Sequence, residues 1–460
     1  MPTEPLSTAI SAPTTIHIIG IGGAGMSAFA LVLAQLGHRV SGSDLRESPV
    51  VDRLRRNGIT VSIGHDAANV AGAAIVTASP AVSESNVELV EARRLGARVV
   101  ARAEMMAAIA ALRRTLAVAG THGKTTTSSM LSLILVAADA SPSFLLGADV
   151  TGVGANAVWG DGELLVIEAD ESYGSFLALS PAVCVLTNIE ADHLDHYGTV
   201  GELEDAFEGL LRRTTDATAV MADDPGAARV GERVGALRVG TTGAVDVLID
   251  GVETGRSSSA FTLHLPEGDR VRLRVGAPGL HNVRNAAMAA VTAHLAGVSP
   301  SALADGLARF AGVPRRFEFR GEADGIVFVD DYAHLPTEVA ATLAAARDGG
   351  FDRVVAVFQP HRFTRTAAVA TGFAESFLEA DEVVVTGIYS AGEAPIPGVK
   401  GELVANAVRS VLGPSRVHYV EERAQVADVV DALLAPGDVC VTMGAGDLTT
   451  LPDELLGRHR

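Results

Sequence analysis

The stretch Val118–Thr127, VAGTHGKTTT, joins a strand-like apolar run to a helix predicted over residues 128–138. The strand ends in Gly120, and a second glycine three residues later leads into Lys124 and Thr125. A strand, a glycine loop, a lysine and a helix form a phosphate cradle, because amides at a helix start attract an anion. Thr125 is placed to offer its hydroxyl to Mg²⁺. The loop is shorter than the usual G-x-x-x-x-G-K-[ST].

Lysine is rare in this chain, which makes the one in the glycine loop informative. It occurs only at positions 124 and 400, and every other basic side chain is arginine. A lysine kept among so many arginines indicates a site that needs a compact ammonium rather than a planar guanidinium. The alternative is a chance lysine after a glycine turn. Lys400 lies in a loop of Gly and Pro, where a solvated side chain is expected.

Length and composition limit the class of protein. A chain of 460 residues predicts about three domains. It has no apolar run long enough to span a membrane and does not begin like a signal peptide. Cys184 and Cys440 lie in apolar runs, which indicates buried thiols in a reducing cytoplasm. A net charge of −19 argues against nucleic acid, and a polyanionic substrate would need local positive charge or metal.

The first segment carries a dinucleotide fingerprint. A strand predicted over residues 16–20 leads into GIGGAG, a helix is predicted over 28–36, and a second strand ends at Asp44. The pattern predicts a pyrophosphate over Gly22–Gly25 and a ribose near the acid. It leaves the nucleotide open, and close helix–strand packing without a ligand is the alternative. This first α/β domain is predicted to end at Ala111.

Acids follow the next strands. A strand over residues 164–167 finishes in Glu168, where a magnesium-binding carboxylate is expected beside a phosphate loop; a solvated strand end is the alternative. The following strand leads into NIEADHLDHYG, which places His193 among several acids at the carboxyl end of the sheet. Histidine is an uncommon magnesium ligand, so a capping Asp with a surface His stays open there.

Two later groups of polar side chains share one face or one sheet edge. Asn282 and Asn285 are spaced i, i+3 on a predicted helix, where their amides suit a purine edge or cap the helix. The last segment is predicted to be a second doubly wound α/β unit. Its strand ends carry two arginines able to bind a carboxylate or phosphate, or to form a salt-bridged surface, together with two histidines. These four residues are His334, His361, Arg362 and Arg365.

With these loops assembled, the chain resembles the Mur ligases. The matching motifs are GIGGAGMS, AGTHGKTTT, EADES, NIEADHLDHYG, GLHNVRNAAMA, GVPRRFE, DDYAHLPTE, QPHRFTRT and GAGD, and they run from Ile16 to about Asp447. The resemblance implies three α/β domains: a Rossmann-like UDP-sugar domain over 1–111, a P-loop ATPase-like domain over 112–312, and a Rossmann-like domain over 313–460. The last domain would close on the active site and hold the amino acid.

The resemblance also assigns roles to residues of this chain. UDP-sugar binding falls to Gly22, Gly23, Ala24, Gly25, Met26, Ser27 and Asp44. ATP binding falls to Gly120, Thr121, His122, Gly123, Lys124, Thr125, Thr126, Asn282, Asn285, Arg316 and Asp331. Magnesium ligands would be Thr125, Glu168 and His193. The amino acid and the carboxylate that it joins fall to Tyr332, His334, His361, Arg362 and Arg365. The catalytic groups would be Lys124, Glu168, His193, Arg316 and Asp331.

The implied activity is ATP-dependent joining of L-alanine to the lactyl carboxylate of UDP-N-acetylmuramate through an acyl phosphate, in cytoplasmic peptidoglycan synthesis. The rivals are a ligase for a recycled peptide, an NAD-dependent dehydrogenase and a nucleotide-binding switch without chemistry. A monomer and a homodimer both stay open, and no membrane insertion or nucleic-acid partner is expected.

The chain departs from other members of the family in two places. Leu335 stands where the family motif has a second histidine. Mur ligases that add later residues use a carbamylated lysine, but no lysine occurs between 124 and 400. Glu208 is expected roughly at that lysine's place. The lack of the lysine agrees with the alanine-adding branch of the family.

Overall fold

The chain forms three mainly parallel β-sheets with helices packed around them. The computed structural model describes residues 4–459, although the side chains of Ala24, Tyr173 and Asp195 lie outside that description. The predicted α/β class is confirmed, with one sheet in each successive part of the chain. Within residues 4–459, no helix is both long enough and apolar enough to span a bilayer.

The first sheet is fully parallel, in the order β3-β2-β1-β4-β5. Its strands are β1 (Thr15–Ile19), β2 (Arg39–Asp44), β3 (Thr60–Ile63), β4 (Ile75–Ala78) and β5 (Arg98–Ala101). Its helices are α1 (Leu6–Ala9), α2 (Ala24–Gln35), α3 (Pro49–Arg56), α4 (Val87–Arg94) and α5 (Arg102–Ala110). Helix α2 begins at Ala24, four residues before the predicted start at residue 28, so the last glycine of GIGGAG lies in its first turn.

The second sheet has the order β15-β14-β13-β12-β11-β10-β6-β9-β7-β8. Its strands are β6 (Arg114–Ala119), β7 (Ser143–Val150), β8 (Ala155–Val158), β9 (Leu164–Ala169), β10 (Val183–Leu186), β11 (Ala217–Met221), β12 (Leu237–Gly240), β13 (Val247–Thr254), β14 (Ser259–His264) and β15 (Arg270–Val275). The helices are α6 (Lys124–Ala137), α7 (Leu194–Tyr197), α8 (Val200–Arg212), α9 (Pro225–Val234), α10 (Leu280–Leu295) and α11 (Pro300–Ala308). The strand β6 lies between β10 and β9, so the phosphate loop leaves the interior of the sheet.

The third sheet has the order β16-β17-β21-β18-β19-β20, and only its edge pair β16–β17 is antiparallel. The strands are β16 (Glu318–Ala323), β17 (Ile326–Asp331), β18 (Arg353–Phe358), β19 (Glu382–Thr386), β20 (Val417–Val420) and β21 (Asp438–Met443). The helices are α12 (Pro336–Asp348), α13 (Phe363–Val369), α14 (Glu402–Leu412), α15 (Arg423–Leu433) and α16 (Leu451–Arg458). Pro336 opens α12, as its fixed φ predicts.

The chain divides into two compact units. One holds the chain up to Asp250 with Thr262–Leu273 and Arg284–Phe310, and the other holds Gly251–Phe261, Arg274–Val283 and the chain from Ala311. This division is based on contacts between residues, and it does not test the three domains predicted from the sequence. Their boundaries after residues 111 and 312 stay predictions.

A glycine allows two helices behind the phosphate loop to pack closely. Helix α11 contacts α6, and a Cβ built on Gly306 would lie 2.3 Å from the Cα of Ile134 and 2.8 Å from its backbone nitrogen. Backbone atoms of a buried helix cannot move aside for a methyl group. The position therefore requires glycine for close helix packing.

We expect Gly306→Ala to lower the free energy of unfolding by about 1–3 kcal/mol, because it overpacks this contact. Gly209→Ala in α8 is the matched control, since the nearest atom to its Cβ is Arg213 Nη1 at 3.4 Å. That exchange should raise stability by up to about 1 kcal/mol through helix propensity. Urea unfolding of both variants measures the difference, and equal stabilities would contradict the packing argument.

Candidate active site

The phosphate loop turns at two glycines whose space is needed by neighbouring side chains. Gly120 has φ +134°, and a Cβ there would lie 2.1 Å from Thr187 Oγ1. Gly123 has φ +78°, and a Cβ there would lie 2.4 Å from Asn285 Oδ1. Both positions therefore require glycine for two reasons: the backbone has positive φ, and a side chain would clash with its neighbours. Helix α6 begins directly after the second glycine, so Lys124 is its first residue rather than part of a preceding loop.

The end of β10 fastens the loop. Thr187 Oγ1 donates to the carbonyl of His122 at 2.7 Å, and Asn188 Nδ2 donates to the same carbonyl at 3.0 Å. Asn188 Oδ1 accepts from the amide of His122 at 2.7 Å, and Thr121 N donates to the Asn188 carbonyl at 3.1 Å. His122 Nε2 lies 3.1 Å from Glu190 Oε2. Residues at the end of the neighbouring strand β10 thus supply hydrogen bonds that hold the short loop.

The Lys124 ammonium is buried and has three acceptors. It donates to the carbonyls of Gly120 at 2.7 Å and Thr121 at 3.1 Å, and to Glu171 Oε2 at 2.6 Å. Burial alone would lower the pKa of this ammonium, but the carboxylates of Glu171, Asp170 and Glu168 raise it. The lysine is therefore charged across the physiological range. Its direct partner is Glu171, whereas the sequence favoured Glu168 among the acids that follow this strand.

Thr125 and Glu168 form the part of the predicted magnesium site that the structure brings together. Thr125 Oγ1 donates to the carboxylate at 2.9 Å, and Gly147 N donates to Glu168 Oε2 at 2.8 Å. A Cβ on Gly147 would lie 2.9 Å from Glu168 Oε2 and 3.2 Å from Thr125 Oγ1, so only glycine leaves this corner open. Hydroxyl and carboxylate oxygens are the ligands that Mg²⁺ prefers, and the residues fit that ion. Burial raises the pKa of the Glu168 carboxyl.

His193, the third predicted ligand, contacts other side chains. Its Nε2 lies 3.3 Å from Ser172 Oγ and 3.7 Å from both Glu171 Oε1 and Asp192 Oδ2. Its φ of +55° places it in the left-handed region just before α7. Among the side chains that the structure describes, which leave out that of Asp195, those of His, Cys, Asp and Glu form no group of three or more that could hold a metal ion. Its role as a magnesium ligand stays a prediction.

The two asparagines of α10 differ in what they contact. Asn285 packs against Gly123, which places its amide beside the phosphate loop. Asn282 Nδ2 donates to the carbonyl of Pro278 at 2.8 Å, which differs from helix capping, because a capping side chain accepts a hydrogen bond from a first-turn amide. Helix α10 begins at Leu280, before either asparagine. Binding of a purine edge by the pair stays a prediction.

The glycine turn after β1 is held by the acid that the fingerprint predicts. Asp44 Oδ2 accepts from the amide of Gly22 at 2.9 Å, and a Cβ on that glycine would lie 2.8 Å from the same oxygen. Gly23 is exposed, whereas Met26 and Ser27 are buried in α2. The side chain of Ala24, another predicted UDP-sugar contact, lies outside the described residues. Asp44 and the turn therefore form one unit at the carboxyl edge of the first sheet.

Beside Asp44 lies a buried carboxylate that sequence reasoning missed. Glu88 on α4 accepts from Ser43 Oγ at 2.5 Å and from Asn69 Nδ2 at 2.5 Å, and its Oε2 lies 3.2 Å from His65 Nδ1. Burial would raise the pKa of this carboxyl, but His17, Ser43 and Asn69 lower it to about 2. It ties the end of β2 to the loop after β3. A Glu in the first turn of a short helix carries no sequence pattern that indicates such a role.

In the third sheet, β17 ends in the predicted nucleotide contact Asp331. Its carboxylate accepts the amides of Phe317 and Ala333, both at 2.7 Å. Burial raises the pKa of this carboxyl to about 6, although the nearby Arg316 favours the charged form. The Arg316 guanidinium lies over the Tyr332 ring, 5.1 Å from its centroid. These three predicted residues are therefore neighbours.

The predicted amino-acid residues also lie together. The rings of His334 and His361 are 5.9 Å apart, and Arg365 Nη1 lies 3.1 Å from His361 Nδ1. Burial first, and then the nearby cations, lower the pKa of His361 to about 4, so its ring is neutral and can accept a hydrogen bond from the arginine. Arg362 has φ +68° and its amide donates to the carbonyl of Tyr389 at 2.8 Å. The cluster presents guanidinium groups beside a neutral imidazole.

Three other predicted features have clear positions. Leu335 is buried at the start of α12, with 3% of its surface exposed. Glu208 forms an ion pair with Arg212 at 2.7 Å within α8 and another with Arg233 at 3.4 Å. Its carboxylate is engaged there, so the expectation that it takes the place of a carbamylated lysine gains no support. Lys400 is exposed, as expected.

The folds and the phosphate loop define a nucleotide-binding α/β protein, and sequence comparison specifies the family. The model of the Mur ligase family, catalytic domain, matches residues 15–114, that of the Mur ligase middle domain matches 118–293, and that of the Mur ligase, glutamate ligase domain, matches 315–446. The chain belongs to the Mur ligase family. The predicted family is confirmed, and the dehydrogenase alternative is wrong.

Individual relatives cover almost the whole chain. The UDP-N-acetylmuramate–L-alanine ligase of Thermobifida fusca is 45% identical over 471 residues, covering 98% of this chain and 97% of the relative. The UDP-N-acetylmuramate-alanine ligase structure from Thermotoga maritima matches with a TM-score of 0.80 at 29% identity, over 97% of this chain and 99% of the other. A murein peptide ligase structure from Psychrobacter arcticus matches with a TM-score of 0.68 at 25% identity, over 96% and 98%.

The Glu88 network predicts a specific acid dependence. Because its folded pKa of about 2 lies below the unfolded value of about 4.5, the ionised carboxylate stabilises the fold above pH 4.5. That contribution, at most about 3 kcal/mol, decreases as the pH falls towards 2.

We therefore expect the stability difference between the parent and Glu88→Gln to shrink by about 1 kcal/mol between pH 5 and pH 3.5. Urea titrations at several pH values measure it. Glu84→Gln is the control, since the side chain of Glu84 is 83% exposed. A difference that is constant with pH would contradict the network's effect on the carboxyl.

Proposed function

We propose that this chain joins L-alanine to the lactyl carboxylate of UDP-N-acetylmuramate at the expense of ATP, as a step of peptidoglycan precursor synthesis. The observation that carries the proposal is the match over 98% of the chain to a UDP-N-acetylmuramate–L-alanine ligase. The buried lysine and the glycine loop support it independently, because they suit phosphoryl transfer.

A ligase that attaches a recycled peptide to the same UDP-sugar is the remaining rival. The murein peptide ligase structure is less similar than the alanine ligase structure, with a TM-score of 0.68 against 0.80. A ligase is also favoured over a nucleotide-binding switch without chemistry. Charged groups are buried around Lys124, and folding of the loop alone does not require them. Alanine as the amino acid therefore has the stronger support.

The reaction needs activation because a carboxylate is a poor electrophile. A lactyl carboxylate oxygen attacks the γ-phosphorus of ATP, and the bond to the bridging oxygen breaks to release ADP. The amine of alanine then attacks the carbonyl carbon of the acyl phosphate, loses a proton, and displaces inorganic phosphate. The first step brings two anions together and the second expels an anionic phosphate, so fixed positive charge and oriented amides contribute most of the catalysis.

The chain's own residues would meet this need as follows. Lys124 and the amides at the start of α6 would bind the phosphates, and Asn285 would lie beside the nucleotide. Thr125 and Glu168, with His193, would hold Mg²⁺. When bound, that ion neutralises phosphate charge. Arg362 and Arg365 would bind carboxylate groups, since guanidinium matches them in pairs of hydrogen bonds.

We also place the reaction in the cytoplasm, where ATP is available. Cys184 and Cys440 are both buried free thiols, which agrees with a reducing compartment. A monomer and a homodimer remain open.

Phosphate release in the presence of ATP, Mg²⁺ and UDP-N-acetylmuramate tests the proposal. L-Alanine should stimulate it strongly, whereas a tripeptide should not. Label from ¹⁸O in the lactyl carboxylate should appear in the released phosphate. Stimulation by the tripeptide alone would assign the chain to the rival, and absence of label would contradict the acyl phosphate.

Lys124→Ala should lower turnover by about 10²–10³-fold or more, because it removes a preorganised charge from the transition state. Lys124→Arg should not restore activity, since a planar fork does not fit the three acceptors of a compact ammonium. The control is Lys400→Ala, at the other, exposed lysine, which should keep parental turnover. Circular dichroism establishes that each variant is folded. Near-parental turnover of Lys124→Ala would contradict the central assignment.

Arg365→Ala should chiefly raise the half-saturating concentration of L-alanine, because it removes a carboxylate-binding group. The half-saturating concentration of ATP should stay close to the parental value. Arg365→Lys should have a half-saturating concentration of L-alanine between those of the parent and Arg365→Ala, because lysine keeps the charge but lacks the planar guanidinium. Initial rates at varied alanine measure the effect, and an unchanged value would remove Arg365 from the alanine subsite.

A further inference from the structure

All three N–H donors of the Lys124 ammonium are used within the protein. They reach the carbonyl of Gly120 at 2.7 Å, the carbonyl of Thr121 at 3.1 Å and Glu171 Oε2 at 2.6 Å. An ammonium has three donors, and these three are its acceptors among the residues that the structure describes. A phosphate oxygen can therefore accept a hydrogen bond from Lys124 only by replacing one of them.

Two of these acceptors are backbone carbonyls that neighbouring hydrogen bonds hold in place. The peptide group that carries the Gly120 carbonyl also contains the amide of Thr121, which donates to the Asn188 carbonyl at 3.1 Å. The peptide group that carries the Thr121 carbonyl contains the amide of His122, which donates to Asn188 Oδ1 at 2.7 Å. Because a peptide group is planar, turning either carbonyl away would break the hydrogen bond of its amide. Both carbonyls therefore stay on the lysine.

The third acceptor is a side chain, and it is fastened only at its backbone. The Glu171 carbonyl accepts from the Tyr197 hydroxyl at 2.6 Å and from the amide of Gly174 at 2.9 Å. Among the described residues, the Glu171 carboxylate hydrogen-bonds to the lysine, while its Oε1 lies 3.7 Å from His193 Nε2, beyond hydrogen-bond distance. Rotation about the side-chain bonds can thus withdraw this carboxylate without moving the backbone. Of the three acceptors, Glu171 is the one that a phosphate can displace.

We propose that Glu171 is an internal counter-ion that Lys124 exchanges for a phosphate of ATP. The carboxylate keeps the ammonium paired and in position, withdraws when a nucleotide phosphate takes its place, and returns when the product nucleotide leaves. This inference rests on the proposed function for the identity of the nucleotide. Only 9% of Lys124 and 1% of Glu171 is exposed, and a buried ammonium with no anion beside it would destabilise the fold.

Competition for one ammonium distinguishes this role from other roles of a buried carboxylate. Removing a competitor should strengthen ATP binding, although it lowers the stability of the protein without ATP. Removing a carboxylate that only supports the loop should weaken ATP binding. Removing a magnesium ligand should weaken binding of ATP with Mg²⁺ and leave binding of metal-free ATP unchanged.

Equilibrium binding of ATP, with Mg²⁺ and with EDTA, tests the exchange in the parent and in Glu171→Gln. Glutamine keeps the size of the side chain without its charge. The variant should therefore bind ATP about 10-fold more tightly in both conditions, the factor expected for loss of one charged competitor. Glu171→Asp, which keeps the charge on a shorter side chain, should have an affinity between those of the parent and Glu171→Gln.

Asp170→Asn is the matched control, because it removes the same charge from the neighbouring residue. Asp170 Oδ1 accepts from Ser172 Oγ at 3.0 Å and makes no hydrogen bond to the lysine among the described residues. Its removal should strengthen ATP binding by at most about 3-fold. The same limit should hold for Glu171→Gln in the background of Lys124→Ala, since that background has no ammonium to compete for.

Thermal unfolding gives a second readout that does not depend on turnover. Without ATP, Glu171→Gln should unfold at a lower temperature than the parent, because the buried ammonium has lost its charged partner. Saturating ATP should raise the melting temperature of this variant by more than it raises that of the parent, since a ligand stabilises in proportion to its binding free energy.

Equal or weaker ATP binding by Glu171→Gln would overturn the inference. An equal gain in Asp170→Asn, or in the Lys124→Ala background, would also overturn it, because net charge alone would then explain the effect. The proposed function is tested separately by alanine-dependent phosphate release from the parent. Release by the parent, with unchanged ATP affinity in Glu171→Gln, removes only the role of Glu171. Tighter ATP binding by the variant, without release by the parent, removes the ligase and keeps the exchange.

Discussion

Close approach of neighbouring elements to the two glycines of the phosphate loop, the end of β10 at Gly120 and α10 at Gly123, is the constraint on which the rest of the site depends. Any side chain at Gly120 would meet Thr187 Oγ1, and any side chain at Gly123 would meet Asn285. With that space free, Thr187 and Asn188 hydrogen-bond the His122 carbonyl and fix the loop. The short loop between the glycines therefore has hydrogen-bonding support from outside itself. The loop is pinned to a neighbouring strand, and the lysine that follows it has a defined position.

The lysine that follows the loop is a buried charge, and it pairs with a buried carboxylate. Burying an ammonium and several carboxylates costs free energy that their mutual attraction only partly offsets. The pKa of Lys124 is nevertheless raised, because Glu171, Asp170 and Glu168 together outweigh burial. A structural core of the same volume would be more stable with apolar residues. Stability therefore does not explain the cluster, whereas phosphoryl transfer requires dense charge of this kind.

Sequence predicted the elements of the site better than its contacts. The strand ends, the glycine loop and Asp44 follow from local patterns, and the structure places them as expected. The partnership of Lys124 with Glu171 joins residues 47 positions apart, and the sequence pattern favoured Glu168, at the strand end, among the three acids of EADE. Glu88 was missed for a related reason. Its role depends on which side chains the fold brings beside it, and only the folded chain shows that.

The departure at Leu335 follows from how α12 begins. Glu338 Oε2 accepts the amides of His334 at 2.9 Å and Leu335 at 3.2 Å, so the helix start is capped by a carboxylate one turn later. The side chain at 335 therefore has no capping duty, and as a leucine it is buried without an unsatisfied polar atom. His334 is held by Glu338 and by the Tyr332 carbonyl, 3.0 Å from its Nδ1. Because its position does not depend on residue 335, replacing the family's second histidine leaves the first one in place.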